Sequence, residues 1–218
     1  MKKILLALSL LPLLATSQEK TTFGINAGLT FADLRGDIYV EDFSYGLSYL
    51  IGLSMEAPIS DRWSFLANIN YEKKSPSQTI TNYQDPGNGQ VPDPDDPAFL
   101  DFEFKARTAL HYISVPLNFK YYIGAKKNFF ATGGAYVAVL AGDTYKLDGK
   151  KTDGSTGITT LDYGLGLGFG TKFKLNETQN LNIELRDNLG IPLILDDNAI
   201  GEARINSINL IVNWQFSL

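Results

Sequence analysis

From Leu161 to Phe173 the chain alternates with a period of two, and the alternation is lopsided. Leu161, Tyr163, Leu165, Leu167, Phe169 and Phe173 share one parity; Asp162, Gly164, Gly166, Gly168, Gly170 and Lys172 share the other, with Thr171 the one small residue among the large ones. Successive side chains of a strand point to opposite faces, so this segment has one greasy face and one nearly empty face. A strand of a soluble sandwich would turn its large residues into a core and polar side chains to water. Glycine on the second face is not something solvent requires, whereas a narrow, crowded interior does require it. Lipid outside and tight packing inside is the arrangement of a small membrane barrel.

The same period recurs along the chain. Phe23 to Leu34 sets Phe23, Ile25, Ala27, Leu29 and Phe31 against Gly24, Asn26, Gly28 and Thr30. Tyr45 to Ala57 sets Tyr45, Leu47, Tyr49, Ile51, Leu53 and Met55 against Gly46, Ser48, Gly52, Ser54 and Glu56, with Leu50 the exception. Trp63 to Lys74 follows the turn Pro58-Ile59-Ser60-Asp61 and turns Asn68, Asn70, Glu72 and Lys74 inward. A fourth strand ends at Ile123, with Ile113, Val115, Leu117, Phe119 and Tyr121 outward and Tyr112, Ser114, Asn118 and Lys120 inward; Pro116, which lacks a donor, predicts a bulge. Phe129 to Gly142 is the fifth strand and Leu161 to Phe173 the sixth. The seventh turns Asn182, Glu184, Arg186 and Asn188 inward, and the eighth runs outward through Ile208, Leu210, Val212, Trp214, Phe216 and Leu218.

Three connections are short (58–61, 124–128, 174–179) and alternate with four long ones (35–43, 75–101, 143–160, 190–203). The stretch Ser75 to Asp101 has no apolar period and reads as a mobile acidic loop. The expected fold is all-β: an eight-stranded antiparallel transmembrane β-barrel, an up-and-down meander with short periplasmic turns, long extracellular loops and both termini in the periplasm. Two outward positions carry charge, Lys73 and Asp187, and both fall at the long-loop end of their strands, where a basic residue costs about 0–1 kcal/mol instead of about 2–4 at the midplane. Aromatics gather at strand ends, with Phe31, Tyr45, Tyr71 and Tyr163 on one side and Trp63, Tyr121, Phe173, Trp214 and Phe216 on the other, as headgroup belts do. A soluble lipocalin-like cup requires polar outward faces, and these strands lack them.

Composition adds the compartment. Met1-Lys2-Lys3 precedes an apolar run from Ile4 to Leu14 and the small residues Ala15-Thr16-Ser17, which predicts a signal peptide over 1–17 cleaved before Gln18 and a barrel domain over 18–218. The run is shorter than the roughly 20 residues a spanning helix needs. Without Lys2 and Lys3 the net charge moves from −5 to −7, with 17 basic residues against 24 acidic ones, which argues against nucleic acid as a partner. There is no cysteine, hence no disulfide framework or thiolate metal site. A chain that enters a membrane without long apolar segments must do so as a closed sheet.

Several segments resemble the Bacteroidetes outer-membrane β-barrel family that includes PorT. They are Phe23-Gly-Ile-Asn-Ala-Gly-Leu-Thr-Phe-Ala-Asp-Leu34, Tyr112-Ile-Ser-Val-Pro-Leu-Asn-Phe-Lys-Tyr-Tyr122, the glycine-rich sixth strand, Asn182-Ile-Glu-Leu-Arg186 and Trp214-Gln-Phe216. The resemblance implies a Gram-negative outer membrane, insertion by the barrel-assembly machinery, contact with outer-membrane lipid, and a link to type IX protein secretion for PorT itself. The chain ends in Leu218 and not in the Phe common at the ends of such proteins.

Candidate chemistry is sparse. The glycines of Gly164 to Gly170 have strand period with no helix to receive a phosphate, so they are no dinucleotide fingerprint. The inward charges Glu56, Glu72, Lys74, Lys120, Asp162, Lys172, Glu184 and Arg186 must pair in an interior that has room only for side chains, so Glu72, Lys74, Lys120, Glu184 and Arg186 are read as a structural charge network. His111 is the only histidine; parity puts it on the face opposite Ser114, which argues against a base–nucleophile pair of a lipid-modifying enzyme. Asp93, Asp95 and Asp96 are candidate extracellular contacts without the turn and bidentate Glu of a known Ca²⁺ loop. No catalytic, metal or cofactor residue is assigned. The expected role is a non-catalytic envelope protein acting through its loops on an envelope or secretion protein partner.

Overall fold

The computed structural model describes residues 21–36, 43–83, 101–147, 149–152, 158–197 and 201–217. The expected leader 1–17, Asp93, Asp95, Asp96 and Leu218 lie outside these residues. Twelve strands occur among them: β1 (Thr22–Gly36), β2 (Phe43–Ser44), β3 (Gly46–Pro58), β4 (Trp63–Lys74), β5 (Ser77–Tyr83), β6 (Asp101–Ile123), β7 (Phe129–Leu147), β8 (Lys150–Thr152), β9 (Leu161–Lys174), β10 (Gln179–Gly190), β11 (Leu195–Asp197) and β12 (Gly201–Ser217). Eight of them close a ring in the order β1, β3, β4, β6, β7, β9, β10, β12, every neighbour antiparallel. The up-and-down barrel expected from the sequence is the fold.

The register sets the geometry of the wall. Cα partners followed once around the ring from Thr22 run through Glu56, Leu66, Asn118, Gly134, Gly166, Asn188 and Ser207 and arrive at Ala32, ten residues from the start on the same strand. With eight strands and the usual strand spacings, that stagger corresponds to a tilt of about 40° and an interior that side chains fill. The inward and outward parities read from the sequence hold. Leu167, in mid-wall, is 71% exposed, while Asn26, Asn70, Asp162 and Arg186 are buried. Leu50, the apolar exception, is buried inside, opposite Gly28 on β1.

The glycines of β9 make room for specific neighbours. Gly164 lies opposite Tyr136 and Gly170 opposite Phe130 on β7, while Gly168 lies opposite Thr132 on β7 and Arg186 on β10. A Cβ at Gly168 would collide with the side chains of Glu184 and Thr132, and one at Gly170 with the Phe130 ring. The empty face of β9 is therefore the space occupied by the large inward residues of its two neighbours.

Three expectations need correction. Ser75–Asp101 is not one irregular loop: Ser77 to Tyr83 forms β5 and pairs with Asp101 to Arg107, so β6 begins well before the wall. The strands run on in the same way elsewhere, with β7 reaching Leu147 and pairing with β8, and β12 starting at Gly201 and pairing with β11. Ser77 to Tyr83 is polar and shows no apolar period, because a sheet beyond the lipid needs no greasy face, whereas Phe102, Phe104 and Ala106 alternate with Asp101, Glu103, Lys105 and Arg107 at the start of β6. The bulge is not at Pro116 either. The β6–β7 register shifts between His111 and Tyr112, with Ala141 the extra residue on β7. At Pro116 the β4–β6 ladder lacks the pairs of Asn68 and Ile69 but resumes in the same register, so the missing donor interrupts the ladder without displacing it.

Candidate functional site

The lumen is the densest concentration of charge among the described residues, and it resolves into layers. Near the long-loop end Lys74 of β4 reaches Asp162 of β9 at 3.0 Å; both are buried. The Tyr136 hydroxyl donates to the same carboxylate at 3.2 Å, and Lys74 Nζ lies 5.2 Å from the ring centroids of Tyr112 and Tyr136. Glu72 accepts from Ser207 Oγ and Asn209 Nδ2, each at 3.3 Å. In the middle, Arg186 donates two parallel bonds to Glu184 at 2.9 and 2.7 Å, and Thr132 Oγ1 adds a third at 2.5 Å. Near the short-turn end Lys120 donates to Glu56 at 2.9 Å, joined by Tyr122 at 2.6 Å and Gln215 at 2.8 Å. A chain of amides runs from the Lys120–Glu56 layer along the lumen: Gln215 to Asn182, Asn182 to Asn213, Asn213 to Asn26, and Asn26 to Asn70.

All five residues assigned to the interior network face the lumen, but they do not pair only with one another. Lys74 and Lys120 take Asp162 and Glu56 as partners, both inward by parity and absent from the assigned five. Only Glu184 and Arg186 pair within that set. The gap between Asn26, Asn68, Lys120, Arg186 and Asn213 measures about 10 Å³, the room of a single water.

The two mouths differ. At the long-loop end Leu34, Leu110, Ile194 and Ile205 form an apolar plug with Tyr112, Tyr136, Ala138 and Ala203, and Ile158 packs against it. Ile194 comes from the connection after β10 and is held by backbone bonds, its N–H to Ala203 and its carbonyl accepting from Thr159, both at 2.8 Å. Arg35 donates to the Gly190 carbonyl and Arg204 to that of Ile191, tying the same segment to the rim. The short-turn end instead opens as a cavity of about 560 Å³ lined by four lysines, Glu177 and neutral polar groups. There Lys127 bonds Asp61, and that bond, with the ammonium charge, holds the Asp61 carboxyl below the usual carboxylate range.

His111 and Ser114 lie on opposite sides of the wall. His111 Nδ1 is 2.5 Å from the Tyr71 hydroxyl on the outward face, and Ser114 is buried inside. Among the described residues no group of three or more His, Asp or Glu side chains is placed to hold a metal.

The outward face is apolar around the whole ring, from Ile25 and Leu53 through Phe119 and Val137 to Leu185 and Trp214. The profile of the outer membrane protein beta-barrel domain family matches residues 16–195. The chain belongs to that family. Membership puts the apolar belt against outer-membrane lipid and the charged lumen inside it. Solved structures with a similar fold include Ail, the attachment invasion locus protein of Yersinia pestis, at 11% identity over 91% of this chain and 100% of that one, TM-score 0.44. Outer Membrane Protein W of E. coli is 13% identical over 93% and 100%, TM-score 0.44. OprG from Pseudomonas aeruginosa is 14% identical over 92% and 98%, TM-score 0.42. No curated protein matches the chain in sequence.

Proposed function

We propose that this is a non-catalytic outer-membrane protein that displays a β-sheet platform at its long-loop end to a partner outside the cell. The observation that carries the reading is the continuation of the sheet past the sealed mouth: β5 pairs with β6 over seven residues, and β2 covers only Ser77 and Gln78 of β5. From Thr79 to Tyr83 the outer edge of β5 has no strand against it among the described residues, and such an edge is a template for an added strand. On this reading a signal peptide over 1–17 directs export, the barrel-assembly machinery inserts the chain, the termini face the periplasm, and Asp93, Asp95 and Asp96 are candidate contacts to the partner. The plug and the filled lumen argue against a diffusion pore.

The PorT-like role in type IX secretion is the finer alternative, and its support is the set of sequence motifs. One experiment addresses both. A strain lacking the gene is complemented with the full chain or with a chain in which residues 79–105 are replaced by a two-residue turn, and the secreted proteome is compared. The shortened barrel should reach the membrane yet fail to restore the deletion phenotype; full restoration ends the platform reading. Retention of type IX cargo in the deletion strain would put the secretion role first.

A further inference from the structure

The mouth opposite the platform has a chemistry of its own. Its cavity of about 560 Å³ is lined by Lys126, Lys127, Lys172 and Lys174, with Glu177 the one acidic side chain on it. Lys127 is paired with Asp61 at the rim, and with that acid and Glu177 set against the four lysines the mouth still has an excess of positive charge, a local reversal of sign in a chain of net charge −5. The reversal is built by two separate elements. Lys172 and Lys174 continue the inward parity of β9 beyond its glycines, and Lys126 and Lys127 come from the turn between β6 and β7, where Gly124 and Lys127 take positive φ of 80° and 52°. The remaining lining carries hydroxyl and amide groups, among them Thr22 and Asn180.

The acid below this mouth is engaged by other groups. Glu56, reached through a gap of about 50 Å³ that also borders Lys172, already accepts from Lys120, Tyr122 and Gln215. Lys172 Nζ itself lies 4.9 Å from the Tyr122 ring centroid, and both side chains line that gap. Walls of low dielectric around a net excess of one sign concentrate its field on the mouth.

We propose that the short-turn mouth binds a phosphate-class oxyanion. Lysine ammoniums are compact charges with three donors each, which suit an anion with oxygens on several sides better than a planar group. The cavity is in the range of small-ligand pockets and holds a pyrophosphate or a headgroup phosphate with its water. Two sources present that chemistry on the side where the termini lie: a free phosphate, or an anionic lipid headgroup reaching over the rim.

The test uses the ¹⁵N-labelled chain refolded in an amine-oxide detergent, which contains no phosphate, titrated with pyrophosphate at constant ionic strength. Saturable amide shifts are expected at residues 126–128 and 172–174 and not at Lys150 and Lys151 of β8, which serve as exposed lysines remote from the mouth. Lys172→Gln with Lys174→Gln should weaken binding at least tenfold. Lys126→Gln, in an exposed turn, should weaken it about threefold and provides a readout if the double variant does not fold. In nanodiscs, saturation by pyrophosphate with phosphatidylcholine alone identifies the free anion as the ligand. The same shifts on adding phosphatidylglycerol without pyrophosphate identify the headgroup. No saturable shift in either setting, an equal response at Lys150 and Lys151, or undiminished binding by the variants overturns the proposal. None of these outcomes bears on the platform at the other end.

Discussion

The two mouths of this barrel are built on the same wall and closed in opposite ways. Beneath each lies a buried lysine–carboxylate pair of similar geometry, Lys74–Asp162 at 3.0 Å and Lys120–Glu56 at 2.9 Å. The first sits under an apolar plug supplied partly by connections, Ile194 and Ile158, and the second under an open polar cavity. An ion pair in a membrane protein is usually discussed by its distance. Here the distances agree and the surroundings differ, so the comparison separates the geometry of a pair from its access to water.

The largest expected effect breaks the pair under the plug. Lys74→Met leaves Asp162 and Glu72 buried without their cation and should destabilise the barrel by about 3–5 kcal/mol in urea unfolding from lipid vesicles. Lys120→Met should cost clearly less, because Glu56 keeps Tyr122 and Gln215 and borders the gap to the open mouth. Equal losses in the two variants would show that sealing does not set the cost. Next comes the plug itself: Leu110→Ala, at a fully buried position, should lose about 2–5 kcal/mol. Leu175→Ala, 54% exposed beside a short turn, should stay within about 0.5 kcal/mol.

Between the ends, Gly168→Ala places a methyl group against Glu184 and Thr132 and should cost about 1–3 kcal/mol by overpacking, read from the same unfolding curves. Leu167→Ala next to it, on the lipid face, meets no such contact, and a larger loss there than at Gly168 would contradict the crowded-lumen account. The smallest effect lies at the rim of the open mouth. The Asp61 carboxyl is held below its ordinary value by Lys127, so its contribution is present above the unfolded pKa of about 4 and disappears as the pH falls through the lower folded value. The small difference in unfolding midpoint between the protein and Asp61→Asn at pH 7 should vanish in acid. A difference that grows in acid would mean the bond to Lys127 does not form.

Legibility in the sequence followed the lipid. Where strands cross the bilayer, one face must be apolar, and residues such as Leu165, Leu167 and Phe169 announce the period. Beyond the belt the same sheet continues with no such demand: the period is lost through Ser77–Tyr83, although Phe102, Phe104 and Ala106 still alternate with charged residues in the partner stretch Asp101–Arg107. The plug was invisible for a related reason: Ile158 is an isolated apolar residue in a polar connection, and Ile194 lies in the short apolar run Ile191-Pro-Leu-Ile-Leu195, which does not reveal which of its side chains turns into the mouth. His111 and Ser114 were separated correctly because parity alone decides the face.

By itself, then, the sequence determined which way each wall residue points, since a period of two is a property of one strand. The tertiary structure decided whom each inward residue meets. Lys74 and Asp162 are 88 positions apart and come together only because eight strands close with a stagger of ten residues, as the path from Thr22 to Ala32 shows. A different stagger would keep every residue on its face and change every partner across the lumen. Ring closure is a property of the whole wall, and no segment carries it alone.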